Sequence, residues 1–200
     1  MTDSGQISAY ELAKLQDQDF LLTKRVIDEK VTTLMLSAQQ QLISHIKKNN
    51  ITLPAEVSLS PRKVAKGENY QSLPYWVCDF PASMNKQDLW TFRVVVWWGN
   101  EISMNLILKG KFKEQCRALP VTSEQSDIFY TTHSDPWKLE LNTPDSLRFT
   151  LSNTQKMTDH FHKADFFKLS TSLPLEEINK LPLQSVISFD KLLATANYLA

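Results

Sequence analysis

Glycine is scarce in this chain: Gly5, Gly67, Gly99 and Gly110 are the only four, and no two lie close together. Isolated glycines cannot build the loops that cradle phosphates, which removes the nucleotide-binding classes that rely on them. Neither Gly-x-Ser-x-Gly nor His-Glu-x-x-His occurs, so serine nucleophile elbows and zinc-protease helices drop out while other hydrolase chemistries stay open. Cysteine is equally sparse. Cys78 and Cys116 form neither a close-spaced metal pair nor a disulfide framework, and we read them as reduced thiols. Net charge is missing too: 22 basic residues balance 22 acidic ones, with no basic run of five, so nothing draws in nucleic acid or an anionic membrane. No window approaches 18 consecutive apolar residues, and the opening segment has no cationic stretch followed by an apolar one. The expectation is a soluble, cytoplasmic protein with no membrane partner and no cofactor.

What is present is globular: 42% hydrophobic and 22% charged residues over 200 positions suit one domain with a real core, spanning residues 1–200. A helical segment is expected over about 8–50. Ser8 and Glu11 are spaced as a capping box opening a short first helix. From about Asp19, Phe20, Ile27, Val31, Leu34, Ala38 and Leu42 recur at steps that line one face of a long second helix. Lys47 and Lys48 suit its C-terminus, and Asn49 and Asn50 its left-handed stop.

A sheet-rich part is expected over about 56–170. The stretches "LPYWVCDF" and "LWTFRVVVWW" are rich in aromatic and β-branched residues that suit a pleated surface. Gly99 and Asn100 read as a two-residue hairpin turn. That turn sets Trp97 opposite Ile102, Val95 opposite Met104 and Arg93 opposite Leu106, making Val95, Trp97, Ile102, Met104, Leu106 and Leu108 the core face. Trp97 and Trp98 then point to opposite sides, on a central strand covered twice. Further strands are expected near 128–132, 137–141 and 147–151, with turns at "HSDP" and "NTPDS", and one more in "HKADFFKLSTS". C-terminal helices follow over about 174–199, the first opened by Pro174 and the last capped by Ser188 and reaching Tyr198. Helix, then strands, then helices predicts an α+β fold: an antiparallel sheet of five or more strands, with a long N-terminal helix and short C-terminal helices packed mainly on one face.

"KGENYQSLPYWVCDFP" and "VVVWWGNEISMNLILKGKF", about a quarter of the chain, resemble a family of uncharacterised bacterial proteins with a Gly-Glu-Asn-Tyr loop, a Leu-Pro-Tyr strand start and a Trp-Trp-Gly turn. The resemblance implies a bacterial cytoplasmic protein of this length, and it carries over no activity, ligand or catalytic residue.

Candidate sites are few. In "DHFHKAD", His160 and His162 are two apart and share one face if the segment is a strand, with Asp159 and Asp165 beside them, but no third ligand completes a zinc set. We therefore expect no metal there. His133 and Asp135 fit an ordinary turn before Pro136. Cys78 alternates with Trp76 and Phe80 as a small core residue, so cysteine catalysis lacks support. Arg93 stands out, because strand parity sets a charge on the apolar face, where it needs an acidic partner or binds an anionic ligand. The "KGENYQSLPYW" loop adds ammonium, carboxylate, amide and phenol groups from Lys66, Glu68, Asn69 and Tyr70. Glu101 and Asn105 complete the ligand-binding candidates. With no catalytic constellation, the reading is a non-catalytic domain that binds a small molecule or a protein. The alternative is a small-molecule hydrolase or transferase with a site at a sheet end near Arg93 and the Lys66 to Tyr70 loop.

Overall fold

The computed structural model describes residues 5–116 and 125–196. Seven strands, β1 (Ala65–Tyr70), β2 (Leu73–Met84), β3 (Leu89–Trp97), β4 (Glu101–Lys109), β5 (Gln125–Thr131), β6 (Ser146–Phe149) and β7 (Phe166–Pro174), form one antiparallel sheet in the order β1-β2-β3-β4-β7-β5-β6. With the long helix α2 (Gln18–Lys48) and shorter helices after the sheet, the fold is α+β.

The helices start and stop where local chemistry dictates. α1 (Ala9–Leu15) opens on the capping box: the Ser8 N–H donates to the Glu11 carboxylate at 2.8 Å, and the Glu11 N–H donates to Ser8 Oγ at 3.2 Å. Asp17 caps α2 through the Phe20 N–H at 2.9 Å, and α2 ends at Asn49, followed by Asn50 with φ 52°. Val31, Met35, Ala38, Leu42 and Ile46 bury one face of α2 against the sheet and against α5 (Leu181–Thr195). Pro182 provides the first turn of α5, so Ser188 does not cap the last helix. It lies inside α5, where its Oγ accepts from Thr171 Oγ1 at 2.8 Å. Tyr198, the expected end of that helix, is outside the described residues. Pro174 closes β7, and a 3-10 turn (Leu175–Lys180) leads on from it. The remaining helical segments are one turn, α3 (Lys111–Glu114), a 3-10 turn (Leu151–Asn153) and α4 (Thr154–Lys163).

The hairpin register differs by one residue from the expected one. Val96 pairs with Ile102, Val94 with Met104 and Arg93 with Asn105, so three residues, Trp98, Gly99 and Asn100, make the turn, with Gly99 at φ +68°. Because side chains alternate, a slip of one exchanges the faces of one strand relative to the other. Ile102, Met104, Leu106 and Leu108 therefore join Trp90, Phe92, Val94 and Val96 under the helices. The opposite face carries Thr91, Arg93, Val95 and Trp97 beside Ser103, Asn105 and Ile107. Trp97 and Trp98 do point apart: Trp97 packs with Val95 and Leu139, while Trp98 stacks on Trp76 at 5.5 Å between ring centroids.

Two further segments depart from expectation. Residues 137–141 are not a strand. They belong to a strap, 132–145, joining β5 to β6 and crossing the second face of the sheet; it is pinned at its base by the Thr132 N–H to the Asp145 carbonyl at 2.7 Å. The Lys66 to Tyr70 stretch is not a loop but the edge strand β1. Gly67 lies against the Tyr75 ring, where an added Cβ would sit 2.2 Å from it.

Candidate functional site

The strapped face carries a polar row running across the strands. Asp79, Arg93, Asn105 and Ser170 are cross-strand neighbours on β2, β3, β4 and β7. Arg93 grips Asp79 with two parallel hydrogen bonds, Nε to Oδ1 and Nη2 to Oδ2, both 2.8 Å, the fork geometry that guanidinium and carboxylate share. Thr91 Oγ1 donates to Asp79 at 2.9 Å, Asn105 Nδ2 to the Arg93 carbonyl at 3.1 Å, and Ser170 Oγ to Asn105 Oδ1 at 2.7 Å. Trp137 of the strap lies over the guanidinium, 4.0 Å from Arg93 Cζ to the ring centroid.

Lys168, beside this row on β7, is only 2% exposed, and its ammonium donates to the Lys138 carbonyl of the strap at 2.6 Å. Burial, with the Arg93 charge adding to it, pushes this amine down to about 7. The strap is latched again at Tyr70, whose hydroxyl donates to Glu140 at 2.5 Å and accepts from the Leu139 N–H at 3.1 Å. Burial and the Glu140 carboxylate push that phenol up to about 12. Glu101, half-buried at the start of β4, is raised by burial, partly offset by a backbone hydrogen bond from Leu141.

The sequence-derived candidates therefore do not converge. Arg93, Asn105, Tyr70 and Glu101 share the strapped face. Lys66 and Glu68 turn to α2, pairing with Asp28 at 3.3 Å and Lys24 at 3.4 Å, and Asn69 is exposed on the edge strand. Arg93 lies in mid-strand, and Asp79 already takes both arms of its fork. His160 and His162 fall on α4 rather than on a strand, because Met157 and Phe161 bury one face of that segment at helical spacing. Residues two apart on a helix point different ways. The His160 Nδ1 instead meets the Tyr130 hydroxyl at 2.9 Å, and burial lowers its affinity for a proton. Among the described residues no cluster of three or more His, Cys, Asp or Glu side chains is arranged to hold a metal. Cys78 and Cys116 are buried, and burial pushes both thiols up to about 12, away from nucleophilic use.

A different surface comes from the helices. α2 is about 46 Å long at about 1.5 Å per residue, yet its first buried side chain is Val31. Phe20 and Ile27 continue the stripe that Val31, Ala38 and Leu42 bury, but both are exposed. α1 buries nothing at all, and Tyr10 is 73% exposed. Ile7 just before α1, and Tyr10, Leu12, Leu15, Phe20, Leu21, Leu22, Val26 and Ile27 on the two helices, all present apolar surface to solvent. Next to Ile27 and Val31 an apolar hollow of about 180 Å³ opens, floored by Trp76, Val96 and Trp98 and closed by Leu175 and Ile178. Sequence periodicity marked Phe20 and Ile27 as one stripe with the core; it had no means of showing that both stay exposed. Among the described residues no helix is long and apolar enough to cross a membrane. No family model, curated protein or solved structure matches this chain.

Proposed function

We propose that this is a non-catalytic protein-interaction domain whose contact surface is α1 with the first turns of α2, bordered by the hollow over Trp76 and Trp98. One observation carries the reading: a helical stripe that is core from Val31 onward runs on uncovered through Ile27 and Phe20, and the helix that precedes it in the chain buries nothing. Apolar patches of that extent are rare on monomers and mark contacts. The neighbouring charges are mixed in sign, which supports a protein partner over nucleic acid or an anionic membrane.

The alternative, a small-molecule hydrolase or transferase at Arg93, draws on the Lys168 amine, held near neutrality where a base would work. It ranks second because Asp79 takes the Arg93 fork and the strap covers the amine. To test the first reading, a photo-crosslinking residue is placed at Leu15 or Leu22 in cells, and at Leu151 or Leu183 as apolar exposed controls elsewhere. Discrete protein adducts from the helical positions alone are expected. Adducts from none, or equally from all four, refute the reading.

A further inference from the structure

We infer that the partner on this surface is a second copy of the same chain, with the first turns of the two α2 helices crossing antiparallel and Phe20 of each copy entering the apolar hollow of the other. This rests on the interaction reading above and names its occupant.

Symmetry supplies the first argument. In a two-fold contact residue i meets j and j meets i. An axis crossing α2 midway between Phe20 and Ile27, which stand seven residues apart on one stripe, brings Phe20 of one copy opposite Ile27 of the other at both ends. Ile27 is on the rim of the hollow. Size supplies the second. A dry cavity of roughly 150 Å³ holds a benzene molecule, and the hollow offers about 180 Å³ between Trp76, Val96, Trp98 and Leu175. A phenyl ring fits that space, and a ring on a short stalk is what Phe20 presents.

Charge supplies the third. The segment from Gly5 to Lys30 holds Glu11, Asp17, Asp19, Asp28 and Glu29 against Lys14, Lys24, Arg25 and Lys30, a net charge of only −1 on each copy, so two copies approach against little net repulsion. The same axis sets Asp17 opposite Lys30 at both rims. It also sets Asp19 opposite Asp28, but Asp28 is already paired with Lys66 at 3.3 Å, and Lys24 near the axis is paired with Glu68 at 3.4 Å. Area supplies the fourth. On the Phe20/Ile27 face together with Ile7, Tyr10, Leu12 and Leu15 the exposed apolar side chains sum to about three whole residues, on the order of 500 Å² at about 150 Å² for a large side chain. A standard interface takes roughly 800 Å² from each partner and a weak one under about 600 Å², so the contact is that of a weak dimer.

The test is sedimentation equilibrium of the full chain over a range of micromolar concentrations. The expected species has twice the 23.0 kDa chain mass. Phe20→Ser should weaken self-association by at least about 100-fold, since one buried aromatic anchor is lost at each end, without lowering the thermal midpoint of the monomer. Phe20→Lys and Ile27→Glu chains, each monomeric alone, should pair when mixed, because one lysine then faces one glutamate across the axis. A dimer that Phe20→Ser leaves intact overturns the inference by moving the interface elsewhere. A chain that is monomeric throughout also overturns it. In that case helical-site crosslinks to a different protein leave the interaction reading standing, and crosslinks to nothing remove both.

Discussion

Lys168 offers the sharpest test of the strapped face. Its amine is 2% exposed and sits near 7 in the folded chain against 10.5 when free, chiefly through burial and secondarily through Arg93, with Asp135 and Glu140 of the strap pulling the other way. Between about pH 7 and 10.5 the unfolded chain therefore binds the extra proton, and stability must rise with pH across that window. The cost is complete below about 7 and gone above 10.5. At about 1.4 kcal/mol per pKa unit the whole difference is on the order of 5 kcal/mol, of which about 1 to 2 kcal/mol returns between about pH 7 and about pH 8.5. The upper limit is chosen because the Cys78 and Cys116 thiols, raised from 9.0 to about 12, reverse the trend at higher pH. Denaturant unfolding at constant ionic strength reads the change directly as a rise in midpoint. In Lys168→Met the rise should vanish. The variant gives up one hydrogen bond to the Lys138 carbonyl, worth about 1 kcal/mol, and should still match or exceed the parent at neutral pH. A parent whose stability is flat or falling over this interval, or a methionine variant that keeps the rise, would show that the amine is not buried as described.

Arg93→Met alone should cost about 3 to 5 kcal/mol by stranding Asp79, and adding Asp79→Leu should restore at least half of that in equilibrium unfolding; no recovery would mean that the pair is not what holds the row. Trp97→Ala should cost about 3 to 5 kcal/mol through lost packing under Leu139, and a nearly unchanged midpoint would contradict its burial. Metal analysis of the purified chain should find no stoichiometric zinc, because His160 and His162 diverge on α4; one zinc per chain, lost in His162→Ala, would refute that.

Features set by neighbours in sequence were legible before any coordinates. Ser8 with Glu11 at the start of α1 and Asn49 with Asn50 after α2 act within four residues of themselves, so the start of α1 and the end of α2 were legible from capping chemistry, whereas the start of α2 was placed near Asp19 by periodicity and its cap at Asp17 came from the structure. Alternation along β3 was likewise local, and it correctly separated Trp97 from Trp98 and singled out Arg93 as a charge in need of a partner. The antiparallel α+β architecture followed from the order of periodicities. Tertiary structure decided the rest. A turn of three residues rather than two moved Ile102, Met104, Leu106 and Leu108 to the opposite face from Arg93, because pairing is settled by the summed burial of both strands and not by the turn sequence. Asp79 became the partner of Arg93 because the β2 ladder places it there, 14 residues away. The strap over Lys168 runs between two strands and is held by side chains such as Tyr70 from elsewhere in the chain, so it has no periodic signature. The uncovered stretch of α2 is the clearest case: Phe20 and Ile27 repeat the core spacing of Val31, Ala38 and Leu42, and only the tertiary packing determines that the first two face water while the others do not.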